Sequence, residues 1–405
     1  MVVKIADPLL MREINKYHVL ETIRCHGEIS RVEISERTEL SGTTVSAITG
    51  ALIEEGLIEA RHTEPTAEAQ RGRPRVLLGL VRTAAYVLGI KISEAMTTVT
   101  IVDFRGDVIA AVQLPIRLAR QPIEVIVDLI EDGIDDCIRK AGVDRSKIRG
   151  IGIGVPGIVD PRSGRSYASS VFGEREVPIG ALLQERTGLP VKLEKPANLL
   201  ALAESWFGYA QRDATFGVVL LDQTASLGLW IEDDIHRGSS TLGPALGHIK
   251  VGSEGIACEC GQTDCLNAHV GQAAIRRQMQ QTLGGDIIAS PAGQADLLGL
   301  LADIAATGDA RAQNLIDGHA NKLGLAVSHI INLINPGKII IAVESPRYAE
   351  AIAAPLRAVA EVNSFRPHFA ATELIFHSLD DQLWARGAAA LMLRDVYSAP
   401  WTTTY

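Results

Sequence analysis

The stretch GHIKVGSEGIACECGQTDCLN, residues 247–267, crowds three of the chain's five cysteines into eight positions. Three thiolates and one imidazole fill a tetrahedral zinc shell and leave no position open. The donor set therefore predicts a structural zinc rather than a catalytic one. The sulfur donors are Cys258, Cys260 and Cys265, and the nitrogen comes from His248, a separate segment upstream, so the metal would tie two loops together. The spacing Cys-x-Cys-x4-Cys demands a tight knuckle, and Gly261 supplies the conformational freedom for it. His269 is a competing donor, nearer to the last cysteine in sequence. Three buried or redox-active thiols are the reading without metal.

Around this cluster lies a chain of 405 residues, 47% hydrophobic and 21% charged, long enough for two or three domains. Aromatic residues make up 4%, so the core must be aliphatic. A net charge of −9 argues against a surface that coats nucleic acid or anionic membrane, without excluding one local basic feature. The N-terminus MVVKIADPLLMREINKYH lacks an apolar run of signal-peptide length, and no later run reaches a membrane span. Few cysteines and no export signal predict reduced thiols, a cytoplasmic location and no membrane insertion. Cys25 and Cys137 fall in helix-like patterns and read as buried small apolar residues.

The first eighty residues carry the local basic feature. Ile14, Val19, Leu20 and Ile23 give a helical spacing that Gly27 ends. Ser30, with Glu33 three residues on, is a capping box for a short second helix. Ser41 caps a third helix whose inner stripe is read as Val45, Ile48, Leu52 and Ile53. Thr43, Thr44, Ser46, Ala47 and Thr49 are left outward. The layout is a helix-turn-helix, in which the third helix puts its N-terminal residues into a DNA major groove. LIEARH and RGRPRVLLGL read as two wing strands. Between 61 and 82 five arginines face two glutamates, and Arg71, Arg73 and Arg75 are expected in or over the minor groove. Arg31, at the start of the second helix, is placed on backbone phosphate. The competing reading is an ordinary three-helix cap with a solvated arginine linker.

From residue 85 strands and helices alternate, with strand groups beginning near 86 and 216, which predicts α/β layers in two similar lobes with a cleft between. The last helix, DQLWARGAAALMLRDVY, is expected on the second lobe. GIGIGVPGIVD at 150–160, ANLLALAE at 197–204, RGSSTLGPALGHIKV at 237–251, CECGQTDCLN at 258–267 and NLINPGKIIIA at 332–342 together resemble the ROK family of repressors and sugar kinases. With the N-terminal helices included, the resemblance is to its repressors of the Mlc and NagC type. It implies an N-terminal winged helix-turn-helix over 1–82 and, over 83–405, a two-lobed actin/hexokinase-like ATPase-type fold with a zinc loop at about 248–267. It also implies His248, Cys258, Cys260 and Cys265 as the ligands.

The resemblance carries a test of catalysis. Kinases of the family have Asp-Ile-Gly-Gly-Thr-Lys after the first strand, where this chain has Lys91-Ile92-Ser93-Glu94-Ala95-Met96. Their Gly-Thr-Gly loop is Asp222-Gln223-Thr224 here, and the aspartate base of Glu-Asn-Asp-Ala-Asn is Pro196, which cannot take a proton. Of the family's sugar contacts only His248 survives; Lys195, Pro196, Ala245 and Asn267 occupy the others. The expectation is a sequence-specific transcriptional regulator, a repressor of carbohydrate-related genes and not an enzyme. As a homodimer or tetramer it would read a pseudo-palindromic double-stranded operator. A small-molecule effector, a sugar or sugar derivative, would meet Lys195, Gln223, His248 and Asn267. Control by a protein partner and a sugar kinase with an added head are the alternatives.

Overall fold

The computed structural model describes residues 8–62, 76–94, 96–115, 121–379 and 381–397. By its internal contacts the chain divides into two compact units, Met1–Glu194 with Ala385–Tyr405, and Lys195–Trp384.

The first unit begins with α1 (Pro8–His26), ended by Gly27 at φ +70°. A short strand β1 (Ile29–Ser30) leads into α2 (Arg31–Thr38) and α3 (Gly42–Glu54), followed by β2 (Ile58–His62) and β3 (Val76–Leu80). Both predicted caps are present. The Ser30 hydroxyl oxygen accepts from the Glu33 amide, while the Glu33 carboxylate accepts from the Ser30 amide at 3.0 Å. The Ser41 hydroxyl oxygen accepts from the Thr44 amide at 3.1 Å. Each satisfies helix N–H groups that have no intrahelical partner. The three strands pair in the order β1-β3-β2, all antiparallel, and make the wing. Val19, Leu20, Ile23, Ile34, Val45, Leu52, Ile58 and Leu78 are fully buried and form the core of this head. Cys137 is buried as expected, but Cys25 is exposed. It sits on the outer face of α1 beside the Arg24–Glu21 pair.

The same unit continues into β4 (Tyr86–Ile92), β5 (Thr97–Asp103), β6 (Val108–Leu114), α4 (Ile123–Ala141), β7 (Ile148–Gly154), the hairpin β8 (Ile158–Asp160) and β9 (Arg165–Ala168), α5 (Ile179–Thr187) and β10 (Val191–Glu194). Among the described residues these give a five-stranded sheet in the order β10-β7-β4-β5-β6, an antiparallel meander extended by two parallel strands. On α4, Ile126, Ile130, Ile134 and Cys137 bury one face.

The C-terminal helix Asp381–Val396, which the sequence places on the second lobe, belongs to the first unit from Ala385 onward, and only its start, through Trp384, belongs to the second. Gly89 and Gly152 are direct partners on β4 and β7. A Cβ at Gly89 would lie 2.1 Å from the Ala385 carbonyl, and one at Gly152 would lie 1.7 Å from the Ala388 carbonyl. Lys192 pairs with Asp395, and the Tyr397 hydroxyl donates to the Phe104 carbonyl at 2.7 Å.

The second unit contains α6 (Pro196–Phe207), β11 (Thr215–Leu221), β12 (Ala225–Ile231), β13 (Asp234–Ile235), α7 (Leu266–Val270), α8 (Gln272–Leu283), α9 (Gly285–Ala289), α10 (Pro291–Ala295), α11 (Leu297–Ala306), α12 (Ala310–Ile334), β14 (Lys338–Val343), α13 (Pro346–Asn363), α14 (Arg366–Ala371) and β15 (Glu373–Ser378). Its five-stranded sheet runs β13-β12-β11-β14-β15, with β14 and β15 parallel to β11. Leu323, Val327, Ile331, Ile352 and Leu356 from α12 and α13 are buried in its core. Gly228 lets α6 press on β12: a Cβ there would meet the Ala197 carbonyl at 1.9 Å. Inside this core His319 has Nδ1 3.0 Å from the Tyr348 hydroxyl and Nε2 2.6 Å from Gln278 Oε1. The Gln278 amide nitrogen donates to the His269 carbonyl, so Oε1 must accept from His319 Nε2–H and the tyrosine must donate to Nδ1.

Two consequences are measurable. Gly152→Ala must push the C-terminal helix off the sheet, costing about 2 kcal/mol or more, read as a lowered denaturation midpoint. Burial pushes His319 down to about 4. Its neutral form is the one folding favours, so its contribution is complete above the unfolded value near pH 6.5 and fades as pH falls towards 4. The wild type should lose up to about 3 kcal/mol over that window relative to His319→Phe, whose stability is lower but flatter with pH.

Candidate metal centre and nucleic-acid interface

The knuckle is built by backbone bonds before any metal is considered. The Cys258 amide donates to the Gln262 carbonyl at 2.8 Å, and the Gly261 amide to the Cys258 carbonyl at 3.0 Å. Gly261 sits at φ +85°, where a side chain would be strained. The Asp264 carboxylate pins the entrance by accepting from the Gly255 and Ile256 amides at 2.9 and 3.0 Å. Lys250 bridges to Cys265, and the Lys250 ammonium donates to the Thr263 carbonyl. Asp264 itself is left-handed at φ 55°, a conformation that Asp tolerates better than most residues.

His248, Cys258, Cys260 and Cys265 converge, their ligand atoms all within 4.8 Å of one another. Cys260 Sγ lies 3.7 Å from Cys265 Sγ, and Cys258 Sγ lies 3.8 Å from His248 Nδ1. A tetrahedral zinc with ordinary bond lengths has edges of about 3.8 Å between sulfurs and about 3.6 Å between sulfur and nitrogen. The cluster has the size and donor chemistry of a metal site. Burial and the two neighbouring thiols push Cys265 up to about 11, a penalty that a bound cation reverses. His269 is not in this group; its Nε2 faces Asp264 and Glu254 instead.

On the head, Thr43, Ser46 and Ala47 are exposed at the start of α3. Thr44 is half-buried, with its hydroxyl 2.8 Å from that of Ser41. Thr49 is not outward: it is fully buried, and its hydroxyl oxygen accepts from Arg31 Nε at 2.9 Å. Arg31 thus braces α2 against α3 and is itself half-buried. Ile53, read as inner, is exposed, and Ile48 is half-buried. Arg71, Arg73 and Arg75 lie outside the described residues. On the wing, Arg61 is held by Glu59 and Glu28.

The positions expected to handle nucleotide have other work. Ser93 closes the turn between β4 and β5: its amide and hydroxyl both donate to the Met96 carbonyl, and its hydroxyl oxygen accepts from the Met96 amide. Pro196 opens α6, where its missing N–H costs nothing. The Lys195 ammonium donates to the Leu227 and Pro244 carbonyls at 3.0 and 3.2 Å, so it is no solvated surface lysine. Asn267 Oδ1 accepts from the Ala225 amide at 2.8 Å. Gln223 is half-buried in the turn after β11, and its carbonyl accepts from the Gln272 amide. Asp222 borders a cavity of about 250 Å³ that Gln272, Arg276, Glu344 and Tyr348 also line.

Residues 12–59 match a winged helix-turn-helix DNA-binding family. The xylose repressor of Caldicellulosiruptor bescii is 27% identical over 395 residues, 96% of this chain and 98% of that protein. A crystal structure of a ROK family transcriptional regulator, a homologue of the Escherichia coli MLC protein, superposes with a TM-score of 0.79 at 24% identity, over 96% of this chain and 97% of that one. The ROK hexokinase of Thermus thermophilus superposes at 0.64 and 24% identity, over 78% of this chain and all of its own, which shows a fold shared with kinases. Residues 87–395 match the ROK family itself, and the chain belongs to that family, with a winged helix-turn-helix in front.

Proposed function

We propose that the chain is a sequence-specific DNA-binding transcriptional regulator that represses carbohydrate-related genes. The observation that carries this reading is a pairing of opposites. In the head, α2 and α3 are both capped at their N-termini, and Thr43 and Ser46 stand outward at the start of α3. The body has a closed turn at Ser93–Met96 and a proline where a kinase keeps its base. The name of the Caldicellulosiruptor relative supports a sugar-linked role. Two heads on a symmetric dimer or tetramer would read a pseudo-palindrome, with α3 in the major groove and Arg71, Arg73 and Arg75 at the minor groove. Arg31 and Thr44 sit beside that face, and Thr49 supports it from within.

The work is cytoplasmic, and the Cys3His cluster holds a structural zinc. A small-molecule effector, a sugar or sugar derivative, meets the rim formed by Lys195, Gln223, Asn267 and the second ring nitrogen of His248. It acts by binding one state of the protein better than the other. Lys195 and Asn267 already spend polar atoms on backbone, which favours control by a protein partner as the second reading.

Gel shifts against the promoters of neighbouring genes should show sequence-selective binding that weakens as salt rises. Ser46→Asp should cost about tenfold in affinity with the fold intact. Binding without sequence preference, or ADP release from ATP with any hexose, would sink the reading. Cys260→Ser should remove the tightly held zinc and lower the melting temperature together; unchanged zinc content would refute the ligand set.

A further inference from the structure

Beside the thiolate cluster, and sharing no sulfur with it, stands a second convergence of donors. His269, on α7, is 5% exposed, and its Nε2 is buried without a hydrogen-bond partner. That nitrogen points at two carboxylates, 3.6 Å from Asp264 Oδ1 and 3.9 Å from Glu254 Oε2. The three ligand atoms lie within 4.8 Å of one another. An aimed, buried, unpaired nitrogen is costly, and its neighbours offer lone pairs rather than a bond.

We propose that Glu254, Asp264 and His269 form a second divalent-cation site. One imidazole and two carboxylates suit a borderline transition-metal ion of the manganese-to-zinc series, whereas magnesium and calcium take oxygen donors. Asp264 is pre-set: its two backbone bonds fix both oxygens, each of which keeps a lone pair for a metal. Donors about 2.1 Å from an ion stand about 3.0–3.4 Å apart, so the cluster must contract by roughly half an ångström or more. Glu254, half-exposed at 50%, can supply that movement.

Two ammonium groups oppose the ion, Lys250 through Asp264 and Lys322 through Glu254 and His269. Lys322, on α12, places its ammonium 2.6 Å from Glu254 Oε1 and 3.2 Å from the Val251 carbonyl. A cation bound through Glu254 Oε2 would share that carboxylate with Lys322 on Oε1, so the two charges compete for it. Lys322 therefore lowers the affinity, and occupancy would join the loop at 254, the knuckle at 264 and α7. This site stands apart from the DNA-binding reading.

The experiment is a titration of the metal-free full chain with Co²⁺, followed by absorbance and by bound metal after gel filtration. Two equivalents are expected. The first brings the intense thiolate-to-cobalt band of the Cys3His cluster, and the second adds none. Glu254→Gln, a half-exposed change that spares the core, and His269→Phe, which fills the buried space, should each stop at one equivalent. Lys322→Met should keep two and lower the Kd of the second by at least about fivefold, since a competing charge has gone. Saturation of the wild type at one equivalent overturns the site. So does a second equivalent that survives both Glu254→Gln and His269→Phe, or an unchanged Kd in Lys322→Met.

Discussion

The closest approach of backbone to backbone in the first unit governs how the chain is threaded. Gly89 and Gly152 are paired across β4 and β7, and together they open a window with no side chain on one face of the sheet. Carbonyls of the C-terminal helix enter that window, closer than any Cβ allows. Only a helix with a small-residue face can come so near, and Ala385, Ala388 and Ala389 provide it. The chain must leave the first unit at Glu194, build the second, and return at Ala385 to finish the first. Just past the end of the returning helix, Tyr397 stacks on Phe104 at 4.7 Å between ring centroids and lies within electrostatic reach of Arg24 on α1. The last residues of the sheet's cover are thereby also neighbours of the head.

Where sequence reasoning worked, it followed local rules with one physical outcome. A Ser with Glu three residues on has few uses other than a capping box, and Ser30 with Glu33 makes one. Gly27 and Gly261 stop or bend the chain because both adopt positive φ. The convergence of His248 with the three cysteines was readable for the same reason, since thiols so close in sequence must also lie close in space.

Where it failed, residue type was allowed to outweigh period. Val45, Thr49 and Leu52 are spaced i, i+4, i+7, and all three are buried. Thr49 was placed outward because it carries a hydroxyl; the spacing had already put it inward, and Arg31 meets the hydroxyl there. Ile53 was placed inward because it is apolar, one step beyond that stripe. The C-terminal helix was assigned to its neighbour in sequence. Alternating glycines in GIGIG, set against AAA in the helix, were the available signal, and it is a long-range one that no local window contains. Lys195 escaped for a related reason. Its partners, Leu227 and Pro244, are carbonyls whose identity no side chain announces.

The residues that stand in place of a kinase's working parts are not simply vacant. Ser93 spends its hydroxyl and amide on closing the turn with Met96. Pro196 starts α6, and its carbonyl accepts from the Trp384 indole at 3.3 Å. Lys195 clamps β12 to the loop at Pro244. Restoring an aspartate at position 196 or glycines after β4 would therefore remove contacts that now hold the structure, a cost in stability before any gain in chemistry. The head shows the contrary pattern. The N-termini of α2 and α3 are capped and the head has its own buried core, while Thr43 and Ser46 at the start of α3 are exposed and make no contribution to that core. The two hydroxyls therefore stand exposed on a capped helix end, where the proposed function uses them.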